Sequence, residues 1–314
     1  MSPPTVFDSP FTELAVPRDF NARYGDGLGR TLCLGGGGLF FVAWQVSYLH
    51  TVASRGIDLR HAQRVVGTSA GSVVATNLLA DRLGYLHGQL SLLARAPSVI
   101  AALMPPAEFT PSQQRALDHF IGATEHSTET VQAIGYSALA ASTPSPGSIR
   151  RNLSLIVGRG RWPSAALHLT CTDTYTAERC VVTHRSGVSR PAAVGASSSV
   201  PGIFPPQPVQ DRKCMDGGVG GSGTHLDLLA GAERVVALTL TDGTEAAEGM
   251  MTQAPGAFLH EQRSLADAGT ALFLRTPETV DLEQLMSPAT VPGAIAMGRR
   301  QALEDADQLA DFWH

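Results

Sequence analysis

Lysine is almost missing from this 314-residue sequence: Lys213 stands alone, and every other cationic side chain apart from histidine is an arginine. A basic surplus is missing too. The net charge of −5 gives no support for nucleic-acid binding. Cysteine is scarce. Cys33, Cys171, Cys180 and Cys214 are scattered, with no Cys-x-x-Cys pair. That leaves no zinc pattern and predicts buried, apolar thiols. No uninterrupted apolar run is long enough to span a bilayer. The nearest, residues 86–104, contains His87, Gln89, Arg95 and Pro97 and reads as a buried or interfacial helix. A secretory leader needs a basic start and an apolar core; residues 1–18 offer prolines and acids instead. The expectation is a cytoplasmic protein, peripheral to membranes at most.

What is present is a foldable composition, with 43% hydrophobic and 16% charged residues. Residues 1–28 read as an N-terminal arm, and 29–314 as one domain. Arg30–Leu34 reads as a strand running into Gly35-Gly36-Gly37-Gly38. A buried helix follows from Leu39 to Ala53, stopped by Arg55-Gly56. Val65–Gly67 is the next strand. It leads through Thr68-Ser69-Ala70-Gly71 into a second apolar helix. Strand, glycine loop, helix, strand, turn, helix implies a parallel sheet with helices on its faces. Residues 81–147 read as helices broken by Pro97, Pro105, Pro106 and Pro111, forming an insertion or a cover, with Thr143–Gly147 a loop. Ala166–Thr172, Cys180–His184, Arg234–Thr241 and Ala271–Leu274 read as strands. A short helix is expected to end before Pro201, and a long one to run from Gly293 to His314.

Three stretches carry chemistry. Gly67-Thr68-Ser69-Ala70-Gly71 has the strand–turn–helix context of a nucleophile elbow. Asp216, followed by two glycines, sits on a strand-to-loop step and is a candidate base. The amides of Gly36, Gly37 and Gly38 are candidate donors to an oxyanion, since glycine lets the backbone turn into a site. All three are expected beyond the C-terminal ends of strands. No Gly-Lys-Ser/Thr follows the tetraglycine, so a Walker loop is excluded. Phe41 stands where a dinucleotide fingerprint counted from Gly36 needs its last glycine. A Ser–Asp–His triad is available in chain order, with His225 or His260 as the base. A further alternative is a non-catalytic lipid-binding or interaction protein on the same fold.

Taken together, these motifs resemble the patatin-like phospholipase family. Gly35–Gly38, Gly67–Gly71 and Asp216-Gly217-Gly218 match its blocks in order, and Ala196-Ser197 through Pro201, Phe204 and Pro205 is similar to a fourth. The resemblance implies a three-layer α/β sandwich with a mostly parallel sheet. It also implies a Ser69–Asp216 dyad without histidine, an acyl-enzyme intermediate, and no metal or organic cofactor. The implied substrate is a lipid or small ester, met through transient contact with a membrane surface. Two departures stand out: Phe40-Phe41 replaces the family's usual Arg-Gly, and Gly220-Gly221-Ser222 replaces a neighbourhood that often holds asparagine.

Overall fold

A computed structural model describes residues 14–95, 109–242, 256–278, 280–281 and 284–314. Pro97, Pro105 and Pro106 lie outside the described residues. The strands are β1 (Arg30–Leu34), β2 (Arg64–Gly67), β3 (Leu167–Asp173), β4 (Arg179–Val182), β5 (Gln207–Val209), β6 (Arg212–Asp216), β7 (Arg234–Leu238) and β8 (Ala271–Arg275). They form one sheet in the order β5-β6-β3-β2-β1-β7-β8, with β4 also paired to β3. The run β3-β2-β1-β7-β8 is parallel; β4, β5 and β6 are antiparallel additions.

Alternation along the strands builds two cores. Leu32, Leu34, Val65, Leu167, Val236 and Leu238 face one; Cys33, Val66, Val235 and Ala237 face the other. Both faces are covered, which is why these strands read as unbroken apolar runs. The first face is covered by α1 (Gly38–Ser54), α2 (Ala70–Leu79), α7 (Arg190–Ser197) and α9 (Val291–Trp313), the second mainly by α8 (Ala257–Asp267) and the 226–232 turn. The three-layer sandwich expected from the motifs is present. All four cysteines are buried and unpaired.

The centre of the first layer is the contact of α1 with α9. Phe41, Trp44 and Tyr48 stack in series, at centroid distances of 5.2 and 5.5 Å. Their polar ends are satisfied: Trp44 Nε1 donates to Gln301 at 2.7 Å and Tyr48 Oη to Asp305 at 2.7 Å. Phe40 and Phe41 are therefore core residues.

Between the first parallel strands and β3 lie α3 (Leu83–Leu93), α4 (Pro111–Ile121), α5 (Thr128–Ala140) and α6 (Pro146–Val157). Pro111, expected to break a helix, starts one. It occupies the first turn of α4, behind a Thr110–Gln113 capping box, where a missing N–H is harmless. Pro146 does the same for α6, capped by Ser145, so the loop expected at 143–147 is half helix. The short helix α7 ends at Ser197, ahead of Pro201 as expected. Phe120, Val131 and Ile134 from α4 and α5 pack with Val200, Ile203, Met215 and Val219, so these helices roof the end of β6.

The arm is tied down from Leu14 onward. Val16 N–H donates to Arg179 O, and Val181 N–H to Leu14 O. Ala15 bridges Cys180 in antiparallel sense. Residues 14–16 thereby extend the sheet beyond β4.

Candidate active site

Ser69 caps α2 with φ 50° and ψ −116°, a region that costs a non-glycine residue on the order of 1–3 kcal/mol. Several bonds hold it there. Its N–H donates to Ser197 Oγ at 3.0 Å, and its carbonyl accepts from Ser72 Oγ at 2.6 Å and Ser198 Oγ at 3.2 Å. The Ala196-Ser197 motif is thus the clamp on the elbow. Gly71 is required by proximity: a Cβ there would overlap the Leu34 carbonyl oxygen.

Asp216 reaches Ser69 through β3. Gly67 of β2 pairs with Leu169, and Asp216 of β6 pairs with Cys171, on opposite edges of that strand. Thr68 and Thr170 hydroxyls meet at 2.7 Å and lock the elbow to the same strand. Asp216 lies level with Cys171, two residues past the Leu169 level at which β1 and β2 end, so it stands beyond the C-terminal ends of those strands as the sequence suggested. It is brought there by β6, which runs antiparallel to β3 and descends from the far end of that strand.

The Asp216 carboxylate is buried. Oδ1 accepts from Gly218 N–H at 2.8 Å, while Oδ2 has no hydrogen-bond partner among the described residues. Burial pushes its pKa up to about 7; the Ser69 hydroxyl beside it and the Gly218 amide pull the other way. The Ser69 side chain thus sits next to the carboxylate without full hydrogen-bond geometry, a looseness common before substrate arrives.

The glycine loop lies over Ser69, and a Cβ on Gly36 would come within 3.2 Å of the Ser69 Cβ. Its amides differ. Gly36 N–H donates to Gly223 O at 3.0 Å, so of the three amides expected as donors this one is already occupied. The amides of Gly37 and Gly38 have no acceptor among the described residues, nor does that of Ala70. Gly38 (φ 66°) and Ala70 open helices, where N–H groups lack intrahelical partners. Phe40-Phe41 leaves no arginine to hold the loop. Gln45 holds it instead: fully buried, it donates from Nε2 to Gly35 O and Leu238 O at 3.2 and 3.4 Å. Nothing in the sequence marked Gln45, since a lone amide within an apolar helix carries no motif.

Among the described residues, His225 makes no hydrogen bond to Ser69; its ring is engaged elsewhere. Arg18 Nη2 donates to its Nδ1 at 2.8 Å, so the ring proton is on Nε2, which donates to Gly217 O at 3.0 Å. Burial and the Arg18 and Arg179 charges hold its pKa well below the usual value. His260 stacks on Phe20. His225, Asp227 and Glu261 bring ligand atoms within 4.8 Å of one another, but guanidinium groups already fill the cluster. Arg18 pairs with Glu261 at 3.1 Å and Arg179 with Asp227 at 2.7 Å. Gly221 is bare because any side chain there would strike Arg18.

A family model described as patatin-like phospholipase matches residues 32–228, well over half of the chain. The chain belongs to the patatin-like phospholipase family. The matched span contains the glycine loop, the Ser69 elbow and Asp216, and family membership supports lipid acyl hydrolysis at the family level. The strands and helices beyond residue 228 lie outside the patatin-like match. Among solved structures, the chain is similar to VipD from Legionella pneumophila, with 12% identity and a TM-score of 0.42 over 90% of this chain and 67% of that one. It is also similar to the type III effector protein ExoU, with 15% identity and a TM-score of 0.31 over 88% of this chain and 53% of that one. No curated protein matches the sequence.

Proposed function

We propose that the chain is a serine acyl hydrolase acting on lipid carboxylic esters through a Ser69–Asp216 dyad. The observation that carries this reading is the buried Asp216 carboxylate, with one oxygen unpartnered and the Ser69 hydroxyl beside it. Asp216 removes the hydroxyl proton as Ser69 Oγ attacks the ester carbonyl. The resulting oxyanion is held by the amides of Gly37 and Gly38, with that of Ala70 as a third donor. Gly36 contributes by having no side chain above Ser69. Asp216 then returns the proton to the departing alcohol. In the second half it takes a proton from water, which attacks the acyl group, and it returns that proton to Ser69 Oγ as the carboxylic acid departs. A pKa near 7 suits a group that must both accept and return a proton near neutral pH. The steps need no metal or organic cofactor.

The triad alternative would recruit His225, whose two ring nitrogens are committed elsewhere. The test is turnover of p-nitrophenyl esters of rising chain length and of a phospholipid. Ser69→Ala and Asp216→Asn are expected to lose it by at least about a thousand-fold. His225→Gln, whose amide can still donate to Gly217 O, is expected to keep most turnover per folded molecule. Equal loss in His225→Gln and Ser69→Ala would sink the dyad. Native protein inert toward every ester would sink the hydrolase reading.

A further inference from the structure

The acidic net charge hides an asymmetry. Between Glu129 and Asp173 there is no acidic residue, yet Arg150, Arg151, Arg159 and Arg161 lie there. Three of them converge. An open cleft of about 340 Å³ between α6 and the start of α7 is lined by Arg150, Arg151, Arg159, Ser154 and Ser189, with no carboxylate among its lining residues. Arg159 Nε donates to Ser154 Oγ at 3.0 Å. Neither Arg150 nor Arg151 has a carboxylate partner among the described residues.

The cationic surface continues past the cleft. Arg190 sits at the Gly158–Gly160 turn and donates to Gly160 O at 3.2 Å. Arg82 approaches the same turn and lies over the Tyr85 ring at 5.0 Å. Burial and the nearby Arg82 charge push the Arg190 pKa down. Cations are thus set beside one another, which is unfavourable unless something anionic completes the group.

Apolar side chains border the same surface. On α6, Leu155 is 72% exposed and lies four residues after Arg151; Ile156 is 38% exposed, and Tyr85 is 56% exposed. Residues at i and i+4 share a helix face. A soluble phosphate would use the arginines and leave these groups in water. A lipid surface takes both, with phosphates at the guanidinium groups and Leu155 and Tyr85 at the headgroup level.

We infer that α6, with the starts of α3 and α7, forms a docking surface for an anionic lipid bilayer. It deepens the proposed function by assigning where the chain meets the surface that holds its substrate, and binding is separable from turnover. The patch lies at the start of α7. The other end of that helix is Ser197, on the Ser69 elbow, about 12 Å away at the usual helical rise.

The experiment is co-sedimentation of the full chain, carrying Ser69→Ala so that lipid is not consumed. The probes are phosphatidylcholine vesicles and vesicles of phosphatidylcholine with phosphatidylglycerol. Binding is expected to the anionic vesicles alone and to weaken with salt. Replacing Arg150, Arg151 and Arg159 by Gln is expected to lower partitioning about a hundred-fold. Arg151→Glu, at an exposed position that leaves packing alone, is expected to lower it about twenty-fold, and Leu155→Gln to weaken it further. In the Ser69 background, the triple variant is expected to hydrolyse a short soluble ester as the native protein does. Unchanged vesicle binding by both arginine variants would overturn the inference. So would native protein that ignores anionic vesicles, including the case in which inorganic phosphate raises its melting temperature. Vesicle binding by a protein that hydrolyses no ester would leave this surface standing and refute the hydrolase reading instead.

Discussion

At Asp216, the burial that suits the proposed base works against stability. Burial pushes the pKa of this group up to about 7, from an ordinary aspartate value of 3.8. Between those values the native state binds the extra proton, so stability falls as pH rises through the window and stays lowered above it. Asp216→Asn removes that cost and preserves the acceptor for Gly218. The variant is expected to melt higher than the native protein at pH 8, with the gap closing toward pH 4, as thermal denaturation across pH would report. On the proposed dyad, native turnover of a soluble ester is expected to climb over the same range with a midpoint near 7, because only an ionised carboxylate can accept a proton. A midpoint below 5 would mean that the buried carboxylate is ionised far more readily than its surroundings imply. Neither property was readable from Asp-Gly-Gly. The motif named the residue, but its pKa comes from the enclosing β3, β6 and helical roof.

At the scale of elements, the elbow depends on how closely α2 approaches β1. Gly71→Ala would drive a methyl into the Leu34 carbonyl and is expected to destabilise the fold by about 3 kcal/mol or more, measured by chemical denaturation. The sequence made this junction legible, because glycine spacing and strand-to-helix order are local properties. It also disclosed β1, α1, β2, β7, β8 and α9, whose apolar runs or periodicity announce themselves. Three elements went unread. Strand β5 has only three residues around Pro208. Helix α6 begins with Pro-Gly, which resembles a turn until Ser145 caps it. Helix α8 is amphipathic, but nothing in 257–267 shows locally which face is covered. The same limit applies to the glycine loop. Sequence identified it as a source of amides, and only the Gly223 carbonyl, far along the chain, reveals that Gly36 is already engaged.

For the molecule as a whole, Arg18 ties the arm to the far side of the site. It bonds His225, which holds the Gly217 carbonyl next to Asp216, and it neutralises Glu261, whose side chain is fully buried. Removing one partner of a pair so enclosed leaves an uncompensated charge. Arg18→Ala is therefore expected to lower stability by about 3 kcal/mol, and Glu261→Gln added to it to restore part of the loss. Calorimetry of the single and double variants would check both. A double variant less stable than Arg18→Ala alone would show that the charge on Glu261 is not the problem.

Strand order has a consequence for how the chain is made. The central strand β1 is flanked by β2 on one edge and by β7 on the other, and those partners emerge from the ribosome far apart. While residues 35–233 are being synthesised, the β7-facing edge of β1 has no partner, and Leu32, Cys33 and Leu34 lack half of their cover. A gene fragment ending at residue 228, where the family match stops, would freeze that state permanently. Such a fragment is expected to aggregate through its open edge, even though every residue assigned to the chemistry is present in it.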